Sequence, residues 1–382
     1  MTKRQQASQY SPGASFLERW LADYFTRRRR GNGDPAAIRI ERLRAITRRC
    51  VAIAALAGVV SGALVGGGEM YIRETILGDE EVPLHLSWRV WAGFYAFVGV
   101  LSALEIAFLH TLAISGVRSI VDSAGAPLAP HGHSLMLAHG IARGALESPN
   151  PRDPVFGIDP YALVPKWRLL LLNLAYKLKV SASGVFLRMF MRRLTARLAI
   201  RSFVPLLAGP LYAGWNAFIL WRIMRETRIR ALGPGAIDSI LDAMPATRLG
   251  TDAAAIALDG VAEMLVCAMD AHPNHVHLLH RLRETTGYED PLDPDWSARL
   301  SCLARLDADA RKHTLNLLTL AGIVGSRLTS RQETLLGEAF GACGLKLDRK
   351  ALRRLRARFI AGHAPDPDAL EGVAIASSPI AT

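Results

Sequence analysis

Two apolar runs, Val51–Tyr71 and Val90–Ser115, dominate the hydropathy pattern, with a short acidic loop between them. The first carries no charge before Glu69. As a helix it is roughly 31 Å long, about the thickness of a bilayer core. The second is of similar span, and Trp88 and Trp91 stand at its start, amphipathic rings that suit the headgroup level. Together they predict a transmembrane helical hairpin.

Ahead of the hairpin, Phe16, Trp20, Tyr24 and Phe25 recur at helical spacing and predict a short amphipathic helix. It leads into Arg27, Arg28, Arg29 and Arg30, a Gly31–Pro35 break, and a second basic helical segment bearing Arg39 to Arg49. Behind the hairpin, a helix through Glu147 precedes a linker dense in turn formers, Ser148–Pro154. Residues 166–201 are apolar and basic at once, with Lys177, Lys179, Arg192 and Arg193 among the cations. Such helices lie on an anionic leaflet, or pack in a soluble core with snorkelling arginines. Ser202–Trp221 follows without a charge but is interrupted by Pro205, Gly209, Pro210 and Gly214. Arginines at both ends favour a re-entrant or interface-buried helical hairpin there, with a full crossing as the alternative. Beyond Pro234, amphipathic helices are predicted at Ile237–Met244, Ala253–Met269, Pro273–Thr285, Ser297–Leu303, Ala308–Gly325, Ser330–Cys343 and Arg349–Ala361.

Composition fits this division. The chain has 382 residues, half of them hydrophobic, and a formal charge of +12. Its mean hydropathy, +0.18, suits a few spans attached to a substantial water-facing part. The basic excess fits nucleic acid or anionic lipid. It presses against a transmembrane segment, however, where orientation bias requires it, so lipid contact through Arg27–Arg30, Lys177, Lys179, Arg192 and Arg193 is expected and nucleic acid is not. The inter-span loop is far less basic than the arm, which places both termini in the cytoplasm. The first fifty residues lack the apolar core and cleavage site of a signal peptide, so the hairpin is expected to direct insertion.

Candidate chemistry is sparse. Gly58, Gly62 and Gly66 fall on one helical face and let a second backbone approach closely. The partner is the second span, through Ala92, Ala96, Gly99 and Ala103, or another copy of the chain. Glu105 and His110 are the ionisable groups deep in the second span, and Asn216 is the polar residue of the third apolar run. An intramembrane carboxylate is costly, so it either lines a path or is bonded to a neighbouring helix. His131, His133 and His139 share no helix face and have no nearby carboxylate pair. His272, His275, His277 and His280 are the densest histidine cluster and read as a surface group titrating near pH 6.5. No metal or cofactor is expected. Cys50, Cys267, Cys302 and Cys343 lack any CxxC spacing. Cys50, at the edge of the first span, reads as a small interfacial residue, with palmitoylation as the alternative. No phosphate loop, nucleophile elbow or dinucleotide fingerprint occurs, which argues against an enzyme.

Two segments carry resemblances. Gly209–Ala217, then Arg225–Arg228 and Ala231–Pro234, resemble the core of the EcsC-like bacterial proteins, the likeness covering about Leu146 to Pro234. It implies a membrane-associated helical module and brings no catalytic residues. Leu317–Val324 with Leu328–Glu333, Leu335 and Leu336 is similar to a TerB-like helix-turn-helix unit. That family has an Asp-Gly pair at the turn and a Glu beyond it, whereas here Gly325-Ser326 and Gln332 or Glu333 stand there. The fold carries over and a metal site does not.

The expectation is therefore an all-α protein with a two-helix transmembrane hairpin, membrane-associated basic helices and a cytoplasmic helical bundle. Its parts are a basic arm (1–49), the hairpin (50–116), a helix and Pro-rich linker (117–165), the EcsC-like segment (166–235), the TerB-like domain (236–364) and a disordered tail (365–382). The expected function is that of a non-catalytic, membrane-anchored scaffold or interaction protein of the bacterial inner membrane. Its expected partners are anionic lipid, another copy or membrane protein, and a cytoplasmic protein. The alternative is an oligomeric transport component using Glu105 and His110.

Overall fold

Helices make up nearly all of the secondary structure in the computed structural model, which describes residues 14–27, 36–77, 84–129, 132–165, 167, 171, 204–244, 249–292 and 295–376. In chain order they are α1 (Phe16–Thr26), α2 (Ala36–Tyr71, continued by a wider π-helical turn, Ile72–Leu77), α3 (Leu84–Ala124), α4 (Gly132–Ala145) and α5 (Val204–Ala243). Then come α6 (Thr251–Ala268), α7 (Pro273–Thr286), α8 (Trp296–Arg305), α9 (Ala308–Val324), α10 (Ser330–Ala342), α11 (Arg349–Ala361) and α12 (Pro367–Glu371). Two short strands, β1 (Leu345–Leu347) and β2 (Ala374–Ala376), pair antiparallel with Lys346 opposite Ile375. The chain forms two units. Residues 45–118 and 167–224 make one, and residues 1–44, 119–166 and 225–382 make the other.

The first unit contains the apolar lengths of α2 and α3, both long and apolar enough to cross a membrane. Alongside them runs the N-terminal half of α5, a single helix of 40 residues. The expected hairpin within 202–221 is therefore not formed over 204–221, nor does a new helix begin at Ile237. Pro205 is accommodated because the first helical N–H groups have no partner to lose. Pro210 and Pro234 each remove one ladder bond without ending the helix.

Three levels of contact register the helices of this unit. At one level a Cβ on Gly116 of α3 would fall 2.8 Å from both Cys50 Sγ and Met224 Sδ. Cys50 is buried in that packing. At the next, a Cβ on Gly58 would lie 2.5 Å from backbone atoms of Tyr212 and Ala213, so α5 crosses α2 there with nothing between. At the far end Phe94 packs over Gly68. Gly58, Gly62 and Gly66 are all buried. At Gly58 the partner is α5 rather than the second span; on α3, Ala96, Gly99 and Ala103 are exposed. A Cβ at Gly93 or Gly99 meets nothing within 4 Å. Around the three helices, Leu56, Val60, Trp88, Val100, Leu104 and Phe218 stand exposed.

The second unit has a conventional core. α6 is buried along almost its whole length, with α7 to α10 packed against it and α11 against α9. Gly260 admits Leu318 and the Trp296 ring, and Gly322 admits Leu336 and Met264. Helix starts are set by side-chain caps. Asp307 Oδ1 accepts from Ala310 N at 2.9 Å, and Asp348 Oδ1 from Lys350 N and Ala351 N at 2.8 and 3.0 Å. Thr329 and Gln332 form a reciprocal capping box. Gly287 and Gly362 end α7 and α11 in the left-handed region, where glycine has no Cβ penalty. The tail expected to be disordered from residue 365 instead forms α12 and β2, and Leu370 and Val373 enter the core. Residues 377–382 lie outside the described ones.

α1 is pinned to α4 by a carboxylate that local sequence did not reveal. Glu18 Oε1 accepts from His139 Nδ1 at 3.0 Å and Arg143 Nε at 2.8 Å, all three nearly buried. Burial alone would raise the Glu18 pKa, but the His139 bond and the Arg143 charge outweigh it and hold it below the usual value.

Gly58→Ala is expected to destabilise the first unit by about 1–3 kcal/mol, since its methyl meets rigid backbone. Gly93→Ala and Gly99→Ala should be neutral or slightly stabilising in the same helices. Thermal unfolding of the detergent-solubilised variants checks this; equal behaviour of Gly58 and Gly99 variants would contradict the crossing.

Candidate functional site

The site that sequence pointed to is assembled from three helices of the first unit. Glu105 on α3 accepts Ser61 Oγ of α2 at 2.8 Å through Oε2, and Asn216 Nδ2 of α5 at 2.7 Å through Oε1. Ser61 and Asn216 are buried, and Glu105 is half-buried. The position of Ser61 follows from the glycine stripe: it lies three residues after Gly58, on the face that the close crossing buries. A carboxylate among apolar helices is tolerated when donors reach both of its oxygens. Hydroxyl and carboxamide donate to the carboxylate and hold its orientation.

His110, which the transport alternative pairs with Glu105, does not join it. It is exposed, and its Nδ1 bonds to Ile106 O one turn back at 3.0 Å. Of the expected lipid-contacting cations, Arg27 is exposed and ion-paired with Asp23. Arg28, Arg29, Arg30, Lys177, Lys179, Arg192 and Arg193 lie outside the described residues.

A second polar centre lies in the second unit, on the arginine-bearing stretch of α5. Glu226 Oε1 accepts from Arg230 Nε at 2.8 Å and Ser326 Oγ at 2.7 Å. His272 Nε2 lies 3.3 Å from the same oxygen. His272 Nδ1 accepts Asn274 N at the start of α7, so its proton sits on Nε2, facing the carboxylate. Burial would raise the Glu226 pKa, yet the Arg230 charge, His272 and Ser326 hold it well below the ordinary range. Arg230 also donates to Gly140 O of α4, and Arg225 to Ser326 O. Arg228 Nη2 donates to Ala361 O at 3.2 Å. Arg225, Glu226 and Arg228 of the quoted motif thus tie α5 to the ends of α9 and α11.

Three of the four histidines expected as a surface group, His272, His275 and His277, are buried, while His280 is half-buried. His272, His275 and His277 are at most 4% exposed. The helix N-terminus they occupy is driven inward by Pro273 and Asn274 packing on α4 and α5. Asn274 Nδ2 donates to Ile229 O and Val324 O at 2.9 and 2.8 Å, in a space that only Gly233 leaves open. His275 Nε2 bonds to Ala321 O at 2.8 Å. A carbonyl only accepts, so Nε2 carries a proton. Burial, then the neighbouring His272 and Arg356, push its pKa down to about 3, against the pull of the Ala321 bond.

At the helix-turn-helix, Gln332 Nε2 donates to Met264 O at 3.0 Å, and its Oε1 accepts Thr329 N. Glu333 is held by Arg353 through bonds of 2.8 to 3.0 Å. Arg356 Nη2 donates to Gly325 O at 2.8 Å. Two arginines therefore occupy positions around the turn. Among the described residues no three His, Cys, Asp or Glu side chains gather so as to hold a metal ion. No protein-family model, curated protein or solved structure matches this chain.

Two outcomes follow. Asn216→Leu should lower thermal stability by about 1–2 kcal/mol, because it removes the carboxamide that donates to the Glu105 carboxylate among apolar helices. Glu105→Gln, which keeps one acceptor, should cost less, and detergent-phase unfolding ranks the two. His275 binds a proton in the unfolded chain below pH 6.5 but not in the folded one until about pH 3. Stability should therefore fall as pH drops from 6.5 to 4.5, by at most roughly 2–3 kcal/mol. His275→Gln should flatten much of that slope, read by unfolding midpoints across the interval.

Proposed function

We propose that this chain is a non-catalytic protein of the bacterial inner membrane, a scaffold in which a helical anchor carries a cytoplasmic helical bundle that binds a partner. The observation that supports it most is the contrast between the units. Leu56, Val60, Leu64, Val100, Leu104, Phe108 and Phe218 stand outward around three helices in the first, while the second buries its own aliphatic core. An apolar belt of that kind is stable in lipid and costly in water. In this reading α2 and α3 form the transmembrane hairpin, and both termini are cytoplasmic. The first half of α5 sits at the depth of Gly58 and Glu105, because it packs on both.

Glu105 serves in this reading as the polar lock of the anchor, which its bonds to Ser61 and Asn216 support. The basic stretches around Arg27–Arg30 and Lys177–Arg193 contact anionic headgroups, and the resemblance to EcsC-like and TerB-like segments supports a membrane-associated module joined to a helical domain. The test is extraction and topology. Full-length protein should stay in the membrane pellet after alkaline carbonate. Single cysteines at Asp79 and Ser330 should label from opposite sides of the membrane. Recovery as a dispersed aqueous monomer would overturn the proposal. So would ion or solute flux in liposomes that Glu105→Gln abolishes, which would make the carboxylate part of a path.

A further inference from the structure

Among the described residues of the second unit, large apolar side chains stand exposed at Phe16, Leu17, Trp20, Leu163 and Ile375. The first three lie together on α1. We propose that this edge of α1 lies in the headgroup region of an anionic leaflet, so that the helical bundle is attached to lipid by an interfacial helix of its own.

α1 carries apolar residues on two sides. Leu21, Ala22 and Phe25 are buried, and with Glu18 they make the side that packs on α4. Phe16, Leu17 and Trp20 fall within about 100° of one another on the other side. They are 78%, 46% and 50% exposed. One apolar side is enough to join a bundle. A second one facing water is a cost, and such a patch marks a surface that meets a partner or a membrane.

The make-up of the edge favours lipid. Trp20 stacks on Tyr24, with ring centroids 5.7 Å apart, and these are the amphipathic rings that settle at headgroup level. Charge points the same way. The Glu18 carboxylate is turned inward and paired with Arg143, whereas Arg19 and Arg27 stand exposed. Asp23, the acid on the outer side, is paired with Arg27. The outward surface of α1 is therefore aromatic and net positive, which complements anionic phosphate. Chain length permits the placement as well. Residues 27–35 span up to about 30 Å when extended. Over its length from Ala36 to Val51, where the apolar run begins, α2 rises only about 22 Å.

This inference deepens the membrane reading above and rests on it. Full-length protein is placed in nanodiscs of equal parts phosphatidylglycerol and phosphatidylcholine, with acyl chains brominated near the headgroup or left unbrominated. Tryptophan fluorescence is compared between the two, and subtracting the Trp20→Phe variant isolates the Trp20 signal. That signal should be quenched about twofold or more, since an interfacial helix buries its apolar edge roughly 5–10 Å deep. Phe16→Ser combined with Leu17→Ser should relieve the quenching. Circular dichroism and elution with the discs should not change, because α2 and α3 hold the protein there. Co-elution with an unquenched Trp20 would overturn the inference and leave the anchor standing. Elution apart from the discs would overturn the anchor, and this inference with it. A Trp20 emission that moves to the blue only in discs holding two copies would assign the edge to a second chain, which also overturns it. Unchanged quenching in the folded double variant would equally refute the role of the apolar edge.

Discussion

The approach of α5 to α2 at Gly58 sets the geometry of the first unit. With a Cβ there only 2.5 Å from the Tyr212 and Ala213 backbone, any side chain would force the helices apart. Side-chain reach is short on this scale: Ser61 and Asn216 meet Glu105 at 2.8 and 2.7 Å, and a displacement of one methyl group would break at least one of those bonds. The glycine and the carboxylate are thus two parts of one constraint. The small residue brings the backbones together, and the polar trio then fixes which rotation of each helix is compatible with a satisfied carboxylate.

The second unit solves a related problem with charged groups. α5 enters it carrying Arg225, Glu226, Arg228 and Arg230 into partly or fully buried surroundings, where an unpaired charge is prohibitive. Each finds a specific acceptor or donor: Ser326, Ala361, Gly140 or the Glu226 carboxylate. Removing one member would strand the others, so this is a fold-specifying network more than a source of net stability. Asn274 serves the same stretch. Its bond to Ile229 O ties the start of α7 to α5 one turn before the Gly-Pro-Gly sequence through which α5 runs unbroken.

Helices, their limits and their apolar faces were largely legible in the sequence. Arg349–Ala361 is the helix that its periodicity predicts, and α7 to α10 differ from expectation by a residue or two. These features depend on near neighbours along the chain: a cap residue three positions before its N–H, a glycine where φ turns positive, an apolar face repeating every turn. The length and apolarity of the two candidate spans are of the same kind.

What tertiary structure alone decided is the identity of partners far apart in sequence. Glu105 was legible as a costly residue, but that Ser61 and Asn216 satisfy it was not. His139 seemed to lack a carboxylate until Glu18 arrived from another helix. The His272–His280 cluster read as a surface group because polar residues usually are, yet packing around Asn274 buried His272, His275 and His277, and burial keeps His275 uncharged at neutral pH. The tail beyond Pro365 seemed too small and polar to order, but Leu370 and Val373 found a core and β2 found an edge. Periodicity and capping fix a local conformation, because the atoms concerned are always near one another. Burial, pairing and protonation depend on which distant groups the fold brings within about 3 Å, and no single stretch of sequence contains that information.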